Sequence, residues 1–271
     1  MRIDVHAHLA QFQGTCRGET YRDFPEALAN LKRSMQANGI DHTILIPENY
    51  DDNPEMPGLR QMLALIGGDQ SLSCLGCPRI IQEKSGDLEY FRDLLARGVI
   101  KGLKFFPGHD PHYADDERCR PYFVMCQSLG APVVFHSTDT DSNPPGRMCG
   151  PNTDPKLIAG IAKQYPDLRV VLAHFHWPKY EYCYETTRGI PNLYFDLSGV
   201  VDDDESPGTE RIREPLLKVL AEDPRRVIFG TDWMEADPTK HVAMVEALPI
   251  EENVKQMVFS ENAVRTYNLK L

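Results

Sequence analysis

The sequence has no long apolar run. Nothing in it approaches the roughly 18 consecutive apolar residues that a membrane-spanning helix needs, so no membrane association is expected. It has no charged-then-apolar leader, because strand-like residues begin almost at Met1, and a cytoplasmic location is expected. It has no basic stripe. Twenty-nine Lys and Arg stand against 40 Asp and Glu, a formal net charge of -11, which argues against nucleic acid as a partner. An acidic surface of this kind mainly implies solubility. No low-complexity or linker-like break divides the chain, so its 271 residues are expected to form one domain, 1–271. Paired zinc-finger cysteines are missing as well. The cysteines are Cys16, Cys74, Cys77, Cys119, Cys126, Cys149 and Cys183. Cys74-Leu75-Gly76-Cys77 has C-x-x-C spacing but no second pair. We read its cysteines as buried or incidental reduced thiols rather than as a redox or zinc site.

What is present is a regular alternation of strand and helix patterns. Arg2–Val5 reads as a first strand, and a polar loop over 11–23 follows it. Phe24–Asn38 carries apolar residues at helical spacing (Phe24, Leu28, Leu31, Met35) and Gly39 stops it. Further strands are expected at His42–Pro47, Leu72–Ile80, Ile100–Pro107, Pro132–His136, Leu168–His174, Leu193–Leu197 and Arg226–Asp232. Helices are expected at Gly58–Ile66, Asp87–Ala96, Glu117–Leu129, Pro155–Tyr165, Lys179–Arg188 and Glu210–Ala221, with Asp154 as an N-cap before Pro155. Helices near His241–Leu248, Glu251–Met257 and Glu261–Tyr267 close the chain. Eight strands strung on helices imply parallel pairing through right-handed crossovers. The expected fold is an α/β protein of the (β/α)₈ TIM-barrel type in a single domain. A doubly wound open sheet is the runner-up, with its ligand at one switch point.

The chemistry lies at the strand ends. The first strand runs into His6-Ala7-His8. Residues i and i+2 of a strand share a face, so two imidazoles can turn toward one point. Two histidines two apart also occur by accident, and the pair gains weight only from partners elsewhere. Those partners are His136 at the end of the fifth strand, His174 at the sixth and Asp232 at the eighth, with Lys104 on the fourth. A barrel brings all these ends to its C-terminal face, where barrel enzymes build their sites. Imidazoles with a carboxylate suit a divalent ion of the zinc kind, with manganese or iron as alternatives. Asp232 can bind the ion and accept a proton from water; His174 can polarise a substrate oxygen or relay a proton.

With these residues in view, the chain resembles the amidohydrolase superfamily. It is most similar to the amidohydrolase-related branch that includes aminocarboxymuconate semialdehyde decarboxylase. The stretches that carry the likeness are Ile3-Asp4-Val5-His6-Ala7-His8, Gly102-Leu103-Lys104-Phe105-Phe106-Pro107, Val134-Phe135-His136, Val171-Leu172-Ala173-His174, Ile228-Phe229-Gly230-Thr231-Asp232-Trp233 and Glu261-Asn262-Ala263-Val264-Arg265-Thr266-Tyr267. The resemblance implies His6, His8, His136 and Asp232 as metal ligands and His174 as a catalytic partner or a second-ion ligand. It implies one zinc ion, and a homodimer as common in this branch. Lys104 corresponds to a lysine that is carboxylated in two-metal members. Here it is a substrate contact, an interior ammonium paired to an acid or, third, a bridging carbamate.

Substrate contacts are sought on the loops: Arg17, Phe106, Arg147, His176 and Trp233, with Lys104 below them. His176 could face the same mouth or cap the following turn. His109, His112 and His241 are expected at the surface, and His42 at the far end of the barrel. The leading reading is a metal-dependent hydrolase that uses an activated water on a small-molecule substrate: a lactone, a cyclic amide or an ester. The second is a lyase that decarboxylates an unsaturated or aromatic acid. It would want an arginine such as Arg17 or Arg147 for the carboxylate. The third is a metal-binding barrel without catalysis.

Overall fold

The computed structural model describes residues 1–10, 21–49, 53–82, 84–139, 149–201 and 208–271. Arg17, Arg147, Cys16 and the acidic loop Asp202–Glu205 lie outside the described residues. Eight strands are present: β1 (Ile3–Ala7), β2 (His42–Leu45), β3 (Leu72–Cys74), β4 (Leu103–Phe105), β5 (Val133–Phe135), β6 (Val170–Leu172), β7 (Leu193–Asp196) and β8 (Val227–Ile228). All pair in parallel with their neighbours, in two ladders, β1-β2-β3 and β4 through β8. The ladders meet along both edges. Gly76 N–H donates to the Gly102 carbonyl at 2.9 Å and Lys104 N–H to that of Gly76 at 2.8 Å; Val5 N–H reaches Phe229 O at 3.1 Å. The architecture is the TIM barrel.

Helices follow the strands as the sequence pattern requires. The main ones are α1 (Phe24–Asn38), α2 (Leu59–Ile66), α3 (Asp87–Ala96), α4 (Arg120–Leu129), α5 (Cys149–Asn152), α6 (Pro155–Gln164), α7 (Tyr180–Thr187), α8 (Gly208–Glu222), α9 (Pro238–Glu246), α10 (Glu252–Gln256) and α11 (Asn262–Tyr267). Their ends are set by local chemistry. Asp23 accepts from Glu26 N–H at 2.9 Å to start α1, and Gly39, at φ 61°, ends it in the left-handed region. Asp154 caps α6 by accepting from Lys156 N–H at 2.8 Å, with Pro155 at the first turn. None of the described helices is long and apolar enough to cross a membrane.

Strand alternation sorts the apolar side chains into two layers. Leu103, Phe105, Phe135, Leu172 and Phe195 face outward into the cluster shared with the helices. Ile44, Leu75, Val134, Val171 and Ile228 fill the barrel interior, together with Tyr267 of α11. Lys104, between Leu103 and Phe105, therefore points inward, and it is fully buried. The same alternation separates the C-x-x-C thiols. Cys74 packs in the outer layer and Cys77 in the interior, and each thiol donates to a carbonyl, of Leu75 and Pro47. Thiols in two separate layers form neither a disulfide nor a chelate.

The strands are shorter than the apolar runs suggested. His136 lies one residue beyond β5, His174 two beyond β6 and Asp232 four beyond β8. The last two have φ of 61° and 66°. A left-handed residue cannot continue a strand, so these side chains stand on the turns above the ladder. Two histidines expected at the surface are buried instead. His112 and His241 are 2% and 0% exposed. Each directs Nδ1 to a nearby backbone carbonyl, of Tyr113 and Asp237, which satisfies one ring nitrogen without water.

Candidate metal centre

β1 carries a register shift between Asp4 and Ala7. Ile3 and Val5 both belong to the interior cluster, yet His6 also turns inward, toward Lys104 and Asp196. The irregularity changes the alternation just where the histidines begin. Beyond it, His6 and His8 converge on the Asp232 carboxylate. Nε2 of each lies 3.5 Å from Asp232 Oδ1. One donor atom from each of the three lies within 4.8 Å of the other two.

The partners of these rings fix which nitrogen is bare. His6 Nδ1 lies 2.5 Å from Asp196 Oδ2 and 3.0 Å from Ser198 Oγ. Its N–H donates to that carboxylate, which leaves Nε2 unprotonated. His8 Nδ1–H donates to the Ile46 carbonyl at 3.1 Å, again leaving Nε2 bare. Both rings are held neutral. Burial pushes His6 well below the ordinary histidine range, and it takes His8 down to about 4 against the opposing pull of Asp232.

Two imidazole lone pairs and one carboxylate oxygen therefore face one another, with Lys104 Nζ 3.2 Å from His6 Nε2. This donor set fits a divalent ion. Four ligands at 2.0–2.1 Å in a tetrahedron stand about 3.4 Å apart; the two imidazole-to-carboxylate separations are 3.5 Å, and all three donors lie within 4.8 Å of one another. The Asp196–His6 pair is the carboxylate–histidine arrangement that orients metal-binding imidazoles.

Lys104 and Asp196 are both fully buried against the His6 ring, Lys104 at Nε2 and Asp196 at Nδ1, and each feels the other's charge. Burial draws the Lys104 ammonium down to about 8 against the pull of Asp196 and Asp232. Burial also pushes the Asp196 carboxyl up to about 7, opposed by Lys104. The space for Asp196 comes from Gly230, where a Cβ would lie 2.2 Å from Asp196 Oδ1.

His136 stands beside the triad. His174 Nδ1 lies 3.0 Å from the Ser198 carbonyl, so its N–H donates there and its Nε2 accepts from His136 Nδ1–H at 3.1 Å. That leaves His136 Nε2 with a lone pair, 3.1 Å from both Thr138 Oγ1 and His109 Nε2. His174 opens a run of three left-handed residues, His174, Phe175 and His176, with φ between 45° and 61°. Each such non-glycine residue costs on the order of 1 kcal/mol. Backbone strain of this kind concentrates at functional sites. Here it places the His174 ring over the triad, with Nδ1 3.8 Å from Asp232 Oδ2.

Above these residues opens a cavity of about 500 Å³. His8, His136, His174 and Asp232 form part of its lining, and Phe106, His109, Asn49, Glu48, Asp110, Met56, Met234 and Glu235 complete most of the wall. Asn49 Nδ2 donates to Asp110 Oδ2 at 2.6 Å and so ties the loops after β2 and β4 together. Among the described residues, Phe106 is the one expected substrate contact that lines this cavity. Lys104 lies beneath it. His176 is buried and paired with Ser137 Oγ at 2.9 Å, and Trp233 turns away to stack on Tyr21. Asp196, Ser198, Asn49 and Asp110 were not singled out from the sequence. His109, expected at the surface, is exposed but at the cavity wall against His136.

The amidohydrolase family model matches residues 83–269, well over half of the chain. The chain belongs to the amidohydrolase family. Solved structures of similar fold cover nearly all of it. An uncharacterised TIM-barrel protein from Bordetella bronchiseptica has a TM-score of 0.76 at 20% identity, covering 99% of this chain and 98% of its own. The 5-carboxyvanillate decarboxylase from Sphingomonas paucimobilis has a TM-score of 0.69 at 17% identity, with 99% of each chain covered. A probable 2-pyrone-4,6-dicarboxylic acid hydrolase from Acinetobacter baumannii, with citric acid bound, has a TM-score of 0.68 at 14% identity, covering 98% and 99%. Identities this low speak for the amidohydrolase fold alone. No curated protein sequence matches the chain.

Proposed function

We propose that this amidohydrolase-family barrel is a metal-dependent hydrolase acting on a small carbonyl compound: a lactone, a cyclic amide or an ester. The observation that carries the reading is the convergence of His6 Nε2, His8 Nε2 and Asp232 Oδ1, each imidazole with its other nitrogen tied down, with His8 and Asp232 lining the cavity. His6, His8 and Asp232 would hold one divalent ion, with His136 as the fourth ligand that the family resemblance implies. A bound ion, zinc in the first instance, supplies Lewis acidity and brings a water's pKa from near 16 to about 7.

The remaining work falls to side chains. Asp232 Oδ2, the oxygen turned toward His174, accepts the proton that the attacking water gives up. His174, neutral because burial holds it near 3, has its Nδ1–H committed to the Ser198 carbonyl, and its bare Nε2, against His136 Nδ1–H, serves as a proton relay at the edge of the site. Phe106 and the methionines Met56 and Met234 provide an apolar wall for the body of the substrate.

Decarboxylation is the second reading, favoured by the similarity of fold to the 5-carboxyvanillate decarboxylase. A carboxylate substrate wants a cationic partner in the wall. Among the described residues, the cavity lining has no Arg or Lys. The arginines expected to serve it, Arg17 and Arg147, lie outside the described residues, so the substrate panel decides between the two readings. The test is to present the metal-loaded protein with lactones, cyclic amides, esters and aromatic acids, following acid release and carbon dioxide release separately. Acid release from a neutral carbonyl substrate supports hydrolysis. Carbon dioxide from an aromatic acid, with no hydrolysis of any member of the panel, transfers the assignment to the lyase.

A further inference from the structure

Two motif residues have no role in the chemistry above: Asp4, two before His6, and Thr231, just before Asp232. They are 227 positions apart in sequence and in direct contact. Asp4 Oδ2 accepts from Thr231 Oγ1 at 2.6 Å, and Asp4 Oδ1 accepts from both Thr231 N–H and His6 N–H at 3.0 Å. The Thr231 hydroxyl in turn accepts from Trp233 N–H at 3.1 Å, so it links Asp4 to the residue after Asp232. A fifth link, Asp232 N–H to the His6 carbonyl at 2.8 Å, runs between the two arms themselves. Asp4 and Thr231 are 1% and 0% exposed, so water does not compete for these bonds.

We propose that Asp4 and Thr231 form a positioning clamp that holds Asp232 in its left-handed conformation and sets its distance from His6. The inference rests on the reading of His6, His8 and Asp232 as a metal site. At φ 66° it occupies a backbone region that L-residues leave when they are free to do so. In that conformation its Oδ1 lies 3.5 Å from Nε2 of both His6 and His8. The hydrogen bonds on the flanking Thr231 and Trp233 amides hold the turn in that shape before any ion arrives, so ligand geometry does not have to be organised at the moment of binding. One carboxylate serves both arms, because the oxygen that fixes Thr231 also fixes the backbone of His6. This accounts for the presence of an acid before His6 and a hydroxyl before Asp232 in one chain. Neither side chain touches the cavity, and each acts through its neighbour.

The test compares divalent-ion affinity, by competition with a chromophoric chelator, for the wild type, Asp4→Asn, Thr231→Val, the double variant and Thr231→Ser, at a temperature where all are folded by circular dichroism. Zinc and manganese are the probes. Thr231→Val and Asp4→Asn are each expected to weaken binding by about 10- to 100-fold, the range seen when outer partners of ligands are lost. The double variant should lose little more than the weaker single variant, because the two residues act as one unit. Thr231→Ser, which keeps the hydroxyl, should stay within about threefold of wild type, well short of that 10-fold loss. Leu216→Ala, a buried residue of α8 remote from the site, controls for general destabilisation. It should lower the unfolding temperature without moving ion affinity. If Thr231→Val binds zinc as tightly as wild type, or if the two losses simply add, the clamp is wrong. If the wild type itself binds no ion while remaining folded, the metal-site reading fails and the clamp fails with it.

Discussion

Replacing Gly230 by alanine tests the support behind His6. The added Cβ would lie 2.2 Å from Asp196 Oδ1 and 3.2 Å from both Asp196 Cγ and His6 Cβ. Ordinary contact begins near 3.4 Å, so the carboxylate must retreat by about 1 Å, an overpacking displacement inside a closed interior. Asp196 Oδ2 now stands 2.5 Å from His6 Nδ1. A retreat of that size takes the pair to the limit of hydrogen bonding and releases the His6 ring. Overpacking costs about 1–3 kcal/mol of stability. Losing the oriented partner of a ligand costs about 10- to 100-fold in ion affinity, or roughly 1.4–2.8 kcal/mol of binding. Thermal unfolding and chelator competition on Gly230→Ala read these two losses separately. Gly76→Ala is the paired control. Its Cβ would meet Phe91 and Ile100 at 2.8–2.9 Å in the outer layer, so it should lose stability and keep its affinity. If Gly230→Ala binds the ion like wild type, Asp196 does not orient His6 in the way described.

Three further outcomes are expected. Stability should fall as pH is lowered from about 6.5 toward 4: His8, His174 and His176 are held near 4, 3 and 4, and His6 and His136 well below their usual range. Their contribution is full above the unfolded value of 6.5 and drains as they gain protons on unfolding. Asp4 and Asp196, raised to about 7, work in the opposite sense, stabilising below 3.8 and losing that contribution as pH rises through 7. Five histidines outweigh two carboxylates, and each net proton is worth about 1.4 kcal/mol per pH unit; a denaturation midpoint that is flat or rises on acidification contradicts this. Stripping the ion with a chelator should lower the unfolding temperature by roughly 5–10 °C relative to protein at about 100 times its dissociation constant, and adding zinc back should restore it. His174→Ala should retain the ion yet lose about 10²- to 10⁴-fold in turnover, the usual contribution of a proton-handling group; equal turnover with bound ion removes His174 from the chemistry.

The periodicity of apolar residues was enough to place every strand and to bound α1 and α3 at their observed residues, because caps and glycine stops are local signals. Strand ends were less legible. The run from Leu75 to Ile80 was expected to continue the strand, but β3 ends at Cys74 and the pairing beyond it is a single bridge at Gly76, because apolarity does not report hydrogen-bond partners. His174 and Asp232 looked like strand termini because nothing local in the sequence announces a left-handed backbone at a non-glycine residue. Asp196 was within reach. It is a polar residue at the end of an apolar strand, the feature that drew attention to His136, and applying that rule to carboxylates would have found it. The buried settings of His112 and His241 were not within reach, since they depend on loops packing over them. The Asn49–Asp110 contact likewise joins two loops with no pattern in common.

The most direct measurement is the divalent-ion content of the purified protein by elemental analysis, alongside that of His8→Ala and Asp232→Asn. The wild type should carry about one ion per chain, the number that a single three- or four-donor site holds, and both variants should lose it while remaining folded. A folded wild type that cannot be loaded with zinc, manganese or iron, or variants that keep the ion at full stoichiometry, would contradict the reading of His6, His8 and Asp232 as the metal centre.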